Sequence, residues 1–252
     1  MNEDTLTVVH CYAGDQERVE RMLPYWLHHE TPILLLSPED APVEIKHERI
    51  TCRSAGKAGW KGARTILRQI AHWKITSEFP QTHLFLNDSD TVCLTPELPN
   101  YLNDDSIDLW ANVIGTRHPT IPAYGMNFEP PYYLNQWTLA RLIDFADHLP
   151  EEYRGYVTTD VETVEISAFY MTASELLGLR SQRFNDGFRT YPSIEDWAPW
   201  VYWEAQNVGA RVIHGIKQVE TADRLADCYR SWARYSVSEE LVDTRKMTRV
   251  RE

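Results

Sequence analysis

Two carboxylates one residue apart, Asp88 and Asp90, interrupt the apolar run HLFLNDSDTVCL (83–94), which resumes at Val92. Like charges at such spacing repel by roughly 4 kcal/mol at about 4 Å near a protein surface, unless a cation lies between them. Two chemistries use this pattern. In one, the carboxylates hold Mn²⁺ or Mg²⁺, and the ion bridges the diphosphate of a nucleotide-sugar and neutralises it as a leaving group. In the other, the first Asp is a nucleophile that accepts a phosphoryl group. A polar turn at a strand end needs neither, because Asn, Asp and Ser are ordinary turn formers.

The elements that must position these acids follow from the hydrophobic pattern. TLTVVHCY (5–12) reads as a buried strand, and DQERVERMLPYWLHH as a helix with Asp15 as N-cap. Val19, Met22, Leu23, Trp26 and Leu27 share one face of that helix, which Pro24 kinks or shortens. PILLLS (32–37) and HERITC (47–52) are further strands. The loop SAGKAGWKGA leads into the helix RTILRQIAHWKITSEF, with Leu67, Ile70 and Trp73 on one stripe, and then into the acidic strand. The order β-α-β-β-α-β is the first half of an open, mostly parallel sheet, whose ligands sit at the carboxyl ends of the strands. The acids stand at that edge.

The second half begins with the strand DLWANVI (108–114), followed by a Pro/Tyr/Gly-rich stretch, GTRHPTIPAYGMNFEPPYY, too long for a mere connector. A helix near LNQWTLARLIDFADHL leads to VEISAFYMT (164–172), read as a strand. SIEDWAPWVYWEAQNVG is a helix entered through Ser193, ARVIHGIK a final strand, and the tail beyond Val219 is charged and helix-prone.

Composition narrows the function. With 252 residues and 43% hydrophobic content the chain suffices for one sizeable α/β domain. A formal charge of −12 excludes general affinity for a phosphate backbone, which requires a basic field, but leaves room for a local cationic pocket or a bound divalent ion. Nine Trp and thirteen Tyr exceed what such a core usually needs, and surplus aromatics often face a ligand. Cys11, Cys52, Cys93 and Cys228 have neither zinc nor disulfide spacing, so free thiols in a reducing compartment are expected. The N-terminal MNEDTLTVV lacks a signal-peptide pattern and no apolar run approaches a membrane span; a cytoplasmic protein is expected.

Taken together, Asp88-Ser89-Asp90, the run EISAFYMTASELLGLRSQRFNDGFRTYPSIEDW with its Glu195-Asp196 pair, and NVGARVIHGIK with Gly209 and His214 resemble a GT-A-fold glycosyltransferase of the inverting, family-two-like type. The resemblance spans roughly Thr5 to Lys217. It implies one α/β domain with a mostly parallel central sheet flanked by helices. Residues 1–95 would form the nucleotide-sugar half, 96–219 the acceptor half and 220–252 a helical tail. DSDTV also fits the start of the haloacid-dehalogenase-type phosphatase pattern. That family places its Asp-x-Asp on an early strand and completes its metal site with a Lys and a late acidic pair. Here the pair lies behind at least three strands, the next lysine is Lys217, and no late Asp-Asp or Gly-Asp-x-x-x-Asp follows.

The resemblance implies roles residue by residue. Asp90 is the direct metal ligand, Asp88 contacts ribose or the metal through water, and His214 is the late ligand. Asp196, with Glu195, is the general base that takes the proton of an acceptor hydroxyl, giving inversion; at a helix N-terminus both acids also serve helix stability. Tyr12, Ala13, Asp40 and Ser89 are donor contacts. Lys57, Lys61 and Arg64 would meet the diphosphate or sugar, with Gly56, Gly59 and Gly62 allowing close approach, although each charge alone also suits solvated surface. Apart from the resemblance, Trp197, nearest Asp196, is the tryptophan placed at the acceptor side with Trp200 and Trp203 assigned to packing, and loop length and aromatic content alone point to RHPTIPAYG with NFEPPYY as an acceptor lid. UDP is the nucleotide the fold favours. The acceptor stays open among a glycan, a small molecule and a hydroxymethylated DNA base, the last disfavoured by charge. A retaining transferase, the phosphatase and a catalytically silent carbohydrate-binding protein are the alternatives.

Overall fold

The computed structural model describes residues 4–58, 63–95, 98–114, 127–148, 166–184, 188–194, 211–216, 218 and 220–227. Apolar runs such as ILLL (33–36) and LFL (84–86) are buried on both faces, as central strands between two packed layers must be. They lie in β2 (Ile33–Ser37) and β4 (His83–Asp88), which flank β1 (Thr5–His10), while β3 (Ile50–Ser54) extends the sheet beyond β2. The connections α1 (Gln16–Trp26) and α2 (Ala63–Thr76) complete the expected β-α-β-β-α-β order.

The seven-stranded sheet continues through β7 (Asn127–Asn135), β6 (Leu109–Ile114) and β8 (Ser181–Arg183), in the order β3-β2-β1-β4-β7-β6-β8. Only β7 runs against its neighbours β4 and β6; the remaining pairings are parallel. A three-stranded sheet joins β5 (Val92–Cys93), β10 (Val212–Ile216) and β9 (Phe188–Ile194). The fold is therefore mixed α/β with a mostly parallel central sheet. The helices include α3 (Gln136–Asp147), α4 (Ile166–Leu177) and α5 at residues 220–227.

Strand alternation sends Val9, Ile33, Leu35 and Phe85 to one core, where α1, α5 and the small sheet pack through Trp26, Leu225 and Ile213. Leu6, Val8, Leu34, Leu36, Leu84 and Leu86 point to the other, filled by Trp73, Leu142 and Phe169 of α2, α3 and α4. At roughly 25 cal/mol per Å² of buried apolar area, each such large side chain contributes about 1.5–3 kcal/mol.

Four local expectations are corrected. Residues 166–172, expected as strand, belong to α4, which buries Phe169, Tyr170 and Ala173. Gly178 ends it at φ +61°, with Leu179 N–H on Ser174 O (2.9 Å) and Gly178 N–H on Glu175 O (3.1 Å), the Schellman arrangement. The NFEPPYY stretch, expected as a lid loop, is most of β7. Its prolines are tolerated because the β6–β7 register shifts there: Ala111 pairs Tyr132 and Asn112 pairs Glu129, so Pro130 and Pro131 fall where no ladder donor is needed. Ser193 and Ile194 end β9 instead of opening a helix. Leu67 is 55% exposed and off the stripe formed by Ile70 and Trp73.

Candidate functional site

The acid turn is built by three converging elements. β1 and β4 are parallel with His10 opposite Asp88, and Ser89 N–H continues the ladder to His10 O at 2.9 Å. The chain then reverses, Thr91 N–H donating to Asp88 O at 3.0 Å. β5 follows and pairs antiparallel with β10, Val92 opposite Ile213, and Ile216 N–H reaches Asp90 O at 3.0 Å. From α1, the fully buried Trp26 donates its indole N–H to Thr91 O at 2.8 Å and fixes the turn from beneath.

This construction sets His214, 124 residues downstream, beside Asp90: His214 Nδ1 lies 3.0 Å from Asp90 Oδ1 and 3.1 Å from the Thr91 hydroxyl. Asp90 and His214 are buried, at 1% and 8% exposure. Asp88, Asp90 and His214 each offer a ligand atom within 4.8 Å of the others. Octahedral ligands about 2.1 Å from a small divalent ion sit about 3.0–4.2 Å apart, so the three fit one ion with a small inward movement. Two carboxylate oxygens and an imidazole form a mixed set that suits Mn²⁺ better than Mg²⁺, which prefers oxygen alone. A buried carboxylate is costly unless charge or hydrogen bonds compensate it, and the His214 imidazole beside Asp90 is one such partner.

Of the expected donor residues that are described, Tyr12 and Ala13 follow β1, Asp40 follows β2 and Lys57 follows β3. Tyr12 and Ala13 are exposed in the turn after β1, where Gly14 adopts φ +83°. The Asp88 carboxylate is the chief cause that holds the Tyr12 phenol well above its ordinary range, with Asp90 adding and Arg68 opposing, so it stays a protonated donor. Asp40, after β2, accepts the Ala58 N–H at 2.5 Å and ties the exposed Lys57 loop down. Arg64 lies in the first turn of α2. Lys61, Glu195, Asp196, Gly59, Gly62, Trp197, Trp200, Trp203 and Gly209 lie outside the described residues.

Two expected residues have tasks inside the scaffold. Ser89 is wholly buried and its hydroxyl donates to the Asp15 carboxylate, which braces the turn. Asp15 occupies the N-cap position of α1 without a side-chain capping bond; its carboxylate instead accepts Tyr12 N–H at 2.7 Å as well as Ser89. Asp15 thus couples the donor-side turn to the acid turn. Cys11 beside it is buried, and burial first, then Asp15, keeps its thiol raised and protonated.

Sequence reasoning passed over a further group. His10 lies 3.7 Å (Nδ1) from Asp88 Oδ1, receives Gln69 of α2 at 3.0 Å, and stacks on His72 at 5.4 Å between ring centroids. Arg68 of α2 sits over Tyr12, its guanidinium carbon 5.8 Å from the ring centre, with its stem against Gly56. A Cβ at Gly56 would come within 2.8 Å of Arg68 Cγ, and the residue holds φ +69°, so glycine is required twice over. The four-residue step from Arg64 to Arg68, one helical face, was the available signal.

No family profile matches the chain, and no curated protein does. Among solved structures it is similar to a glycosyltransferase involved in glycosylation of the major capsid of PBCV-1, at 12% identity and TM-score 0.48, covering 87% of this chain and 98% of that one. It is also similar to apo GlyE, a glycosyltransferase of Streptococcus pneumoniae TIGR4, at 14% identity and TM-score 0.46, covering 92% of this chain and 64% of that one. Among the described residues no helix is long and apolar enough to cross a membrane.

Proposed function

We propose that this chain is a metal-dependent glycosyltransferase of the GT-A type that moves a sugar from a nucleotide-sugar, with UDP as the nucleotide, to a hydroxyl acceptor with inversion. One observation carries the reading: Asp88, Asp90 and His214 converge at the carboxyl edge of a mostly parallel sheet, the place where such folds hold their ligands. Asp90 and His214 would hold Mn²⁺ or Mg²⁺, with Asp88 as third ligand or ribose contact. When bound, the ion neutralises charge on the leaving diphosphate.

The chain's own groups do the rest. The Tyr12 ring, 42% exposed and backed by Arg68, offers a flat apolar face to the base while its phenol can donate. Arg68, Lys57, Lys61 and Arg64 supply positive charge toward the diphosphate side. Asp15 and Trp26 hold the two turns in fixed relation, so the ligand geometry is set before the donor arrives. Asp196, with Glu195 beside it, accepts the acceptor hydroxyl's proton as its oxygen attacks the anomeric carbon. The bond from that carbon to the diphosphate oxygen breaks, and its electron pair leaves on the diphosphate.

A thermal-shift panel of nucleotide-sugars with and without Mn²⁺ tests the donor half. Stabilisation of several degrees is expected only when both are present, because each completes the other's site. An equal shift with Mn²⁺ alone, or none with any donor, would refute it. Asp196→Ala tests the chemistry: donor-plus-metal stabilisation should persist while sugar transfer is lost. Retained transfer would point to a retaining route, and hydrolysis of a simple phosphate ester without any nucleotide-sugar would restore the phosphatase.

A further inference from the structure

A second concavity opens at the opposite end of β4. It is a groove of about 590 Å³ between the α2–β4 connection, residue 105, and the start of α3. From His83 to Asp88 the strand rises about 3.3 Å per residue, which separates the groove from the acids by roughly 17 Å. Trp137 stands on its rim with 58% of its surface exposed, far more than a large aromatic usually shows.

That ring is exposed but held. Arg141 of α3 lies over one face, its guanidinium carbon 4.5 Å from the ring centroid, and donates to Leu177 O at the end of α4. The amides lining the groove are anchored at one end in the same way. Gln136 donates to Thr76 O and Phe79 O, and Asn135 Oδ1 accepts Thr138 N–H at 2.8 Å. Gln81 Oε1 is buried with no hydrogen-bond partner, an acceptor that calls for a donor. Among the described residues no lysine or arginine lines the groove itself, Arg141 reaching it only through the Trp137 face it covers, and the acidic charge comes from Asp105, 3.7 Å from His83 Nε2. A pre-set aromatic face beside donors and acceptors of both kinds, with no lysine or arginine lining it, complements a ligand that has apolar C–H faces edged by hydroxyls. An anion would face the Asp105 carboxylate, the Arg141 guanidinium being engaged with the Trp137 ring and Leu177 O, and a purely apolar partner would strand the amides.

We propose that this groove is a non-catalytic binding site for neutral carbohydrate, with Trp137 as the stacking platform. The site would hold a glycan whatever reaction the acid edge performs. The test is a microarray of neutral oligosaccharides probed with the full chain, followed by calorimetry on the strongest hit. Trp137→Ala should weaken binding at least tenfold, Asp105→Asn severalfold, and Asp90→Asn should leave it unchanged. The melting temperature of Trp137→Ala should match the parent, because the side chain is exposed. Absence of binding to any neutral oligosaccharide at millimolar concentration would overturn the proposal. So would equal binding by Trp137→Ala, or loss in Asp90→Asn, which would move the glycan to the acid edge. A concentration-dependent dimer abolished by Trp137→Ala, without glycan binding, would assign the groove to a second copy.

Discussion

Replacing Asp90 by Asn should make the order of stability of parent and variant depend on the metal. Asp88 and Asp90 present oxygens within 4.8 Å of each other, and their side chains are only 19% and 2% exposed. At an effective dielectric near 20, two unit charges at that separation repel by about 3.5 kcal/mol. Water at the open edge of Asp88 and the His214 ring reduce this to about 1–2 kcal/mol, which for a domain of this size means roughly 2–8 °C. Metal-free Asp90→Asn should therefore melt at or above the parent. With a nucleotide-sugar donor present throughout and Mn²⁺ at a hundred times its dissociation constant, the parent should gain about 2.7 kcal/mol and the variant almost nothing, so the order reverses. Differential scanning fluorimetry at pH 8, with chelator and then with Mn²⁺, reads both arms. A metal-free variant that melts well below the parent, together with an equal Mn²⁺ shift in both proteins, would refute the idea that the acids share a cation.

Other perturbations probe the supports. Burial lowers His72 to about 3 and His29 to about 4, so the unfolded chain takes up their protons first as pH falls below about 6.5. Stability should drop by roughly 1.4 kcal/mol per pH unit for each group between about pH 6.5 and 4.5, and His72→Phe should remove one such slope in urea titrations; an unchanged slope would count against a buried neutral His72. Gly56→Ala should cost more than about 1 kcal/mol, read as a shifted urea midpoint, because it combines a left-handed backbone with a clash on Arg68. Trp26→Phe leaves Thr91 O without its indole donor, a loss of about 1–3 kcal/mol, and calorimetry should show weaker Mn²⁺ uptake as the turn loosens.

The first half of the fold was legible because β1, β2 and β4 are buried on both faces and its helices are amphipathic, so apolar runs and helical stripes alternate cleanly. α4 was misread because its core is the apolar run AFYM (168–171), and a short unbroken run has no period to separate helix from strand. The LLGL that follows carried the missing signal, since Gly178 is the left-handed stop of a helix. At the site, Asp88 and Asp90 announce themselves by charge and spacing. His214 was reached through resemblance, and the structure accounts for it through β5–β10 pairing. His10 and Gln69 went unread, and Asp15 was read only as a helix cap, because their proximity to the acids depends on the parallel register of β1 with β4 and on α2 packing above it. No local pattern encodes that register.

The register shift at Pro130 and Pro131 has a consequence for the shape of the acid edge. β4 pairs with β7 only as far as Leu86, opposite Tyr132, while Asn87 and Asp88 keep β1 alone as neighbour. The sheet forks there like a split plank, and Pro130, Tyr132 and Tyr170 line the notch beside Asp88. The proline pair therefore works as a wedge. A substitution that let β7 zip along the last two residues of β4 would close the notch and take away Asp88's open flank without touching a single acid.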